Sequence, residues 1–238
     1  MCLGRNSIMK KCVYQLLENY MIACMTDSAH DKEHVYRVLY NALSIADAEE
    51  LVDYDILIAA CLLHDIGRKD QFENPGLDHA EAGAEKAYDF LLKNHFSEES
   101  ASKICGCIRT HRYRSDNPPA SIEAKILFDA DKLDVTGAIG IARTLLYKGH
   151  LSEPLYSLLP DGTISDGTAF YGRDREPSFF QEYKRKLEKV YSHFYTKEGA
   201  RMAKERQQAA VQFYNQLLSE VKGTYERGLE QLAGVLRD

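Results

Sequence analysis

Apolar residues recur every three or four positions along most of this chain. In residues 7–25, Ile8, Cys12, Leu16, Tyr20 and Cys24 form one row, flanked by Met9, Val13, Leu17 and Met21. That spacing draws a single broad apolar stripe along a helix. Residues 31–46 repeat it with Val35, Val38, Leu39, Ala42, Leu43 and Ala46. Residues 54–65 are apolar nearly all round and predict a helix buried in the middle of a domain. Asp78-His79-Ala80-Glu81 reads as a capping box opening a helix over 79–94, and Ser97 can cap another over 98–111. Periodicity continues through 121–148, with a break left open at Gly137 and Gly140, and then over 179–195 and a pair of helices within 197–236. No run of alternating β-branched residues predicts a strand, so the fold class is all-α. Loops are predicted at 66–77, 112–120 and 149–178. The last holds four Gly and three Pro, which makes it a candidate lid or insertion.

The length of 238 residues fits one large domain. A net charge of −6 argues against a protein that grips duplex nucleic acid through its phosphates. The longest apolar stretch, Ile56 to Leu63, is far too short for a bilayer, and the N-terminal residues lack the apolar run of a signal peptide. The six cysteines contain no CxxC pair, and four sit in apolar helical patterns. Reduced thiols and a cytoplasmic location are the expectation. No GxxxxGK[ST], GxGxxG or GxSxG string occurs.

The chemistry begins where the buried helix stops, at His64-Asp65 followed by Ile66-Gly67-Arg68. An unpaired buried carboxylate is costly. A metal ion would offset that cost, because imidazole and carboxylate are both ordinary ligands. The dipeptide alone is weak, since His30-Asp31 is a second copy. Its surroundings strengthen it. His34 opens an apolar helical segment upstream, and Asp129, Asp131 and Asp134 lie in a strongly helical pattern downstream. Three helices thus each offer a His or Asp from an apolar context. Asp129 and Asp131 stand about 200° apart on a helix and cannot both face one ion, and all three aspartates remain rivals for that position. His30 and His34, four apart on one face, have the spacing of a metal pair.

The order His34, His64-Asp65, Asp131 resembles the HD-domain phosphohydrolase superfamily. The strings HDKEHVYRV at 30–38, CLLHDIGR at 61–68 and DADKLDVTGAIGIAR at 129–143 carry the likeness. They are most similar to the small stand-alone bacterial HD hydrolases, including nucleotide pyrophosphohydrolases. The stretch from Tyr195 to Arg201, with Ala203 and Arg206, resembles the tail of the same group. The resemblance implies a compact helical bundle forming a single domain over residues 1–238. Its core would lie at about 27–148, followed by the 149–178 segment and additional C-terminal helices over 179–238. It also implies a divalent metal (Mn²⁺, Mg²⁺, Fe²⁺, Co²⁺ or Ni²⁺) held by His34, His64, Asp65 and Asp131, with positions left open for water and a phosphate oxygen.

Asp65 and Arg68 are the expected catalytic residues. Arg37, Arg68, Lys69, His79, His111 and Asp134 are expected at the substrate, because guanidinium matches phosphate bidentately and His111 stands among Arg109, Arg112 and Arg114. In HD relatives with two metals, extra histidines between the HD pair and the last Asp bind the second ion, a further role open to His79 and His111. His30 and Asp129 are expected to orient the ligands from behind. The implied partner is a small phosphorylated substrate, a nucleotide, with no duplex nucleic acid and no membrane; the sequence does not speak to the oligomer. Cleavage of a nucleoside triphosphate to monophosphate and pyrophosphate is the first expectation. A monophosphate phosphatase is the alternative, and a di-iron oxygenase or a non-catalytic metal-binding module are the readings from other classes.

Overall fold

The computed structural model describes residues 9–25, 32–112, 117–168 and 177–236. Among these every regular element is a helix, and an isolated bridge joins Leu158 to Ile164. The chain divides into two compact units, one of residues up to Asp134 with Phe194–Ala200, the other of Val135–His193 with the residues from Arg201 onward.

The first unit holds α1 (Lys11–Cys24), α2 (Lys32–Ala46), α3 (Tyr54–Leu63), α4 (Arg68–Glu73), α5 (His79–Lys93), α6 (Glu98–Arg109) and α7 (Ile122–Leu133). α3 is its hub. Apolar all round, it buries Ile56, Leu57, Ala59, Ala60, Cys61, Leu62 and Leu63 and packs against α1, α2, α5, α6 and α7. It starts where Asp53 Oδ1 accepts from the amides of Asp55 and Ile56 at 3.0 and 3.2 Å. α5 and α6 form an antiparallel pair joined by residues 94–97. The capping box expected at the start of α5 is half formed. Asp78 accepts from the Ala80 amide at 3.0 Å, but Glu81 reaches across to Arg109 of α6 at 2.9 Å.

The predicted loop 66–77 contains α4, whose six residues are too short a run to show periodicity. It is wedged in place at Gly67. A Cβ there would lie 2.3 Å from the His79 carbonyl oxygen and 2.5 Å from the Gly83 amide nitrogen. The end of α3 therefore rests directly on the first turns of α5, which brings Asp65 to His79. Gly67→Ala is expected to destabilise the fold by at least the ~1–3 kcal/mol of an overpacked core. The check is a lowered urea midpoint at unchanged slope.

The second unit holds α8 (Gly137–His150), α9 (Phe179–Arg185), a 3₁₀ turn (Leu187–Ser192) and α10 (Lys197–Val235) from Arg201 on. The helix predicted over 121–148 breaks between α7 and α8. Gly137 takes a left-handed φ of 60° there, and its amide donates to the Tyr191 hydroxyl at 3.0 Å. The core gathers Ile141, Ile164, Phe179, Phe180, Tyr183 and Tyr214, with Tyr183 and Tyr214 stacked at a centroid distance of 4.2 Å. The described part of the 149–178 segment is anchored in this core. Ile164 is buried there, and the Asp166 carbonyl accepts from the Tyr214 hydroxyl at 2.6 Å. Where a pair of helices is predicted over 197–236, α10 runs unbroken for 39 residues. Gly223 and Gly228 lower its propensity without interrupting its hydrogen bonds. Cys12, Cys24, Cys61, Cys105 and Cys107 are free thiols. No helix of the described residues is long and apolar enough to cross a membrane.

Candidate metal centre

Five helices of the first unit deliver side chains to one buried point. His34 lies in the first turn of α2, His64 and Asp65 directly follow α3, His79 opens α5, His111 follows α6, and Asp131 lies in the last turn of α7. The α5–α6 pair explains one meeting. In an antiparallel hairpin the start of the first helix adjoins the end of the second, and the His79 and His111 rings lie 5.3 Å apart.

Two groups of ligand atoms result. His34, His64 and Asp131 form one; Asp65, His79 and His111 form the other; within each group the atoms lie within 4.8 Å of one another. Asp65 stands between them. Its Oδ2 is 3.5 Å from His34 Nε2 and 3.7 Å from His64 Nε2. Its Oδ1 is 3.5 Å from His79 Nε2 and 3.6 Å from His111 Nε2. Asp131 Oδ1 lies 3.2 Å from His34 Nε2, and with 23% of its side chain exposed it marks the open edge of an otherwise buried cluster.

All four imidazoles are turned the same way. Nδ1 of His34 meets Asp134 Oδ2 at 2.7 Å, and Nδ1 of His64 meets the Cys61 carbonyl at 2.8 Å. Nδ1 of His79 meets Gln71 Oε1 at 2.7 Å, and Nδ1 of His111 meets the Ile108 carbonyl at 2.6 Å. Facing an acceptor, each Nδ1 carries a proton and donates it, which leaves the Nε2 lone pairs of His64, His79 and His111 pointing inward. The Nε2 atoms of His79 and His111 are buried without a hydrogen-bond partner among the described residues. Lone pairs aimed at carboxylates crowd the site with acceptors. Such groups are costly to bury unless cations lie between them. Imidazole and carboxylate donors suit a first-row divalent metal. The residues fit that group, and the two sets of atoms fit two ions.

The electrostatics agree for His64 and His79. Burial pushes His64 down to about 4 and His79 down to about 3, so both rings are neutral at pH 7. Burial opposes ionisation of Asp65, but the Arg68 guanidinium beside it holds its carboxyl well below the usual range. Burial likewise opposes ionisation of Asp131, but the hydrogen bond and charge of His34 outweigh it and hold its carboxyl well below the usual range. On His34 burial disfavours the charged ring, yet hydrogen bonds with Asp131, Asp134 and Asp65 raise its pKa, so its Nε2 carries a proton toward Asp131 and Asp65 that a bound cation would replace.

The HD domain family matches residues 32–136, a span that contains the whole cluster. The crystal structure of a predicted HD-superfamily hydrolase from an uncultured Thermotogales bacterium is 30% identical, with 87% of this chain and 91% of that chain covered and a TM-score of 0.58. This chain belongs to the HD superfamily of hydrolases. The uncharacterised Bacillus subtilis protein YpgQ is 28% identical over 213 residues, which span 87% of this chain and 93% of YpgQ. The crystal structure of YpgQ in complex with ADP is similar with a TM-score of 0.65 at 25% identity, covering 88% of this chain and 98% of that one. HD domains bind divalent metals, and the centre of this HD hydrolase carries the groups able to hold them.

Within the HD centre the three rival aspartates take different places. Asp131 faces the cluster. Asp134, one turn on, is buried behind it, with Oδ2 on His34 and Oδ1 accepting from Arg37 Nε at 2.7 Å; a terminal nitrogen of Arg37 also reaches Oδ2 at 3.1 Å. Arg37 and Asp134, expected at the substrate, are paired with each other behind His34. Asp129 turns away. Its Oδ1 accepts from the Tyr195 amide at 2.9 Å, and its Oδ2 accepts from the Thr196 amide and hydroxyl at 2.7 and 2.6 Å. It holds the start of α10.

His79 and His111, expected at the substrate, are buried against Asp65 instead. Two of the three arginines expected around His111 are in ion pairs. Arg109 binds Glu81 and Arg112 reaches Asp78 at 3.3 Å, while Arg114 lies outside the described residues. Lys69 is exposed with Glu73 3.9 Å away. Arg68 does reach the centre, its Nε donating to Asp65 Oδ1 at 2.9 Å with a third of the side chain exposed. His30 lies outside the described residues. Gln71, which fixes His79, belongs to no motif and is legible only from the fold.

Proposed function

We propose that this HD hydrolase cleaves a phosphoanhydride or phosphoester bond of a small nucleotide at a two-ion centre. A nucleoside triphosphate losing pyrophosphate is the first reaction. The observation that carries this reading is Asp65, placed between two sets of inward-facing Nε2 atoms. His34, His64, Asp131 and Asp65 would hold one ion; Asp65, His79 and His111 would hold the other. The binding of ADP by YpgQ supports a nucleotide as the ligand.

Bound there, a divalent metal supplies Lewis acidity, lowering the pKa of water and drawing charge from phosphate oxygens. The chain's own residues do the rest. Asp65, held ionised, accepts hydrogen bonds from the attacking water and orients it toward phosphorus. Arg68, partly exposed at the edge of the centre, swings from Asp65 to neutralise charge developing on the phosphate. The Nδ1 hydrogen bonds lock all four rings, so little reorganisation accompanies the reaction. Arg68→Ala is expected to lower kcat/KM about 10²-fold. Circular dichroism should show the fold unchanged, since the arginine lies at the rim.

Phosphorus NMR of the purified protein with Mn²⁺ and a panel of nucleotides tests the reading. Pyrophosphate and monophosphate from a triphosphate support it. Orthophosphate from a monophosphate makes the protein a nucleotidase, and no turnover of any nucleotide sinks the nucleotide assignment. The oxygenase reading requires His79 and His111 in the centre, where they stand. The hydrolase relatives weigh against it, and oxygen consumption by Fe²⁺-loaded protein separates the two.

A further inference from the structure

We infer that the two ion positions differ in affinity, that the Asp131 position fills first, and that Arg68 competes with the second ion for Asp65. This rests on the two-ion reading above. Three contrasts between the positions carry it.

The first lies behind the histidines. His34 Nδ1 donates to a carboxylate, Asp134, at 2.7 Å, whereas His79 Nδ1 donates to a neutral amide, Gln71, also at 2.7 Å. A carboxylate acceptor makes an imidazole the stronger donor to a cation. Both acceptors have a fixed orientation. Arg37 forks onto Asp134, and the Gln71 amide donates from its other end to the Leu77 carbonyl at 3.0 Å. The second contrast is charge. Asp131 belongs to the first group alone, while the second group has no carboxylate but Asp65. The third is occupancy of Asp65 itself. Its Oδ1, the oxygen facing His79 and His111, already accepts from Arg68 Nε at 2.9 Å.

A second ion must therefore take Asp65 Oδ1 from a guanidinium, against the repulsion of a like charge close by. Phosphate oxygens that draw Arg68 toward themselves free that oxygen at the same moment. The second ion then loads together with substrate rather than ahead of it. In this arrangement Arg68 reports the arrival of a phosphate to the metal centre, and Asp134, Arg37 and Gln71 are positioning residues.

The test is calorimetric titration of chelator-stripped full-length protein with Mn²⁺ alone. Wild type should show one tight and one weak site, separated by about tenfold or more in Kd. Arg68→Ala should tighten only the weak site, by roughly tenfold, as removal of a nearby like charge predicts. Asp134→Asn should weaken only the tight site, by about 10–100-fold, and Gln71→Ala only the weak one. Should Asp134→Asn fail to fold, Arg37→Lys keeps the charge, removes the fork and gives the same result in milder form. Two sites of equal affinity, or a weak site that Arg68→Ala leaves unchanged or weakens, would overturn the inference while the two-ion reading stands. A single Mn²⁺ per chain in wild type and in Arg68→Ala would overturn both and leave a one-ion hydrolase.

Discussion

Asp65→Ala is expected to lower kcat/KM by at least about 10³-fold and to erase most of the thermal stabilisation that Mn²⁺ gives the protein. The two carboxylate oxygens of Asp65 face different groups of ligand atoms. One oxygen faces His34 and His64 and the other faces His79 and His111. Without Asp65 the second group keeps two imidazoles and no carboxylate, and the first keeps only Asp131. A ligand that binds the folded state alone stabilises it by about 2.7 kcal/mol at a concentration 100 times its Kd. Wild type should therefore melt later with Mn²⁺ than without it, and the variant should show little of that shift.

The metal-free variant should stay folded. The substitution removes a buried carboxylate whose desolvation is expensive, and the arginine it releases is already partly in solvent. This pairing of readouts separates an enzyme from a purely structural metal site. In a structural site the Mn²⁺-dependent melting shift exists in wild type with no turnover to lose. Retention of turnover by the variant, or an undiminished melting shift, would show that the centre does not depend on Asp65.

The contrast between Asp65 and its neighbours shows which parts of the site sequence can and cannot reveal. The buried helix ending in His64-Asp65 is visible because a charged pair interrupts a wholly apolar run, and the HD strings name its partners. The roles of Asp129, Asp131 and Asp134 are harder, because three carboxylates within two helical turns differ only in direction. Asp131 and Asp134, three residues apart, share a face and address opposite nitrogens of His34, Nε2 at 3.2 Å and Nδ1 at 2.7 Å. Residue type alone makes Arg37 and Asp134 look like a phosphate site; the fold pairs them in a fork behind His34. His79 and His111 mark two helix ends, and periodicity says nothing of where helix ends meet. The signal was nonetheless present. The two residues lie almost equally far from the short turn at 94–97, and folding that hairpin superimposes them. Gln71 had no comparable signal, since α4 is too short to announce itself. Among larger elements, the apolar stripes placed α1, α2 and α3 closely and the capping residues placed α5 and α6, while the unbroken course of α10 through Gly223 and Gly228 is set by hydrogen bonding that composition does not display.

Asp129→Ala is expected to act on the other side of the same helix, costing roughly 3 kcal/mol or more of stability while leaving Mn²⁺ stoichiometry per folded chain unchanged. Asp129 is buried, and its carboxylate accepts from the amides of Tyr195 and Thr196 and from the Thr196 hydroxyl. Thr196 in turn accepts from the Gly199 amide at 3.0 Å and so caps the first turn of α10. Removing the carboxylate strands three donors, two of them on the buried Thr196, and each such group costs about 1–3 kcal/mol. For a chain of this size, the melting temperature should fall by several degrees, at about 2–4 °C per kcal/mol.

Asp129→Asn should recover part of the loss, because one oxygen still accepts while the amide opposes the remaining donors. Gly199→Ala should mimic the loss from the other partner. A Cβ there would lie 2.7 Å from both Asp129 Oδ2 and Thr196 Oγ1, so the cap must open to admit it. The resemblance of the Tyr195–Arg201 string to the tail of the HD group thus has a physical basis in seating this carboxylate. The ligand-bearing face of α7 lies on its far side, about 200° around the helix, where Asp131 faces His34. If Asp129→Ala instead lost Mn²⁺ while keeping its melting temperature, Asp129 would belong to the centre and the separation of roles along α7 would be wrong.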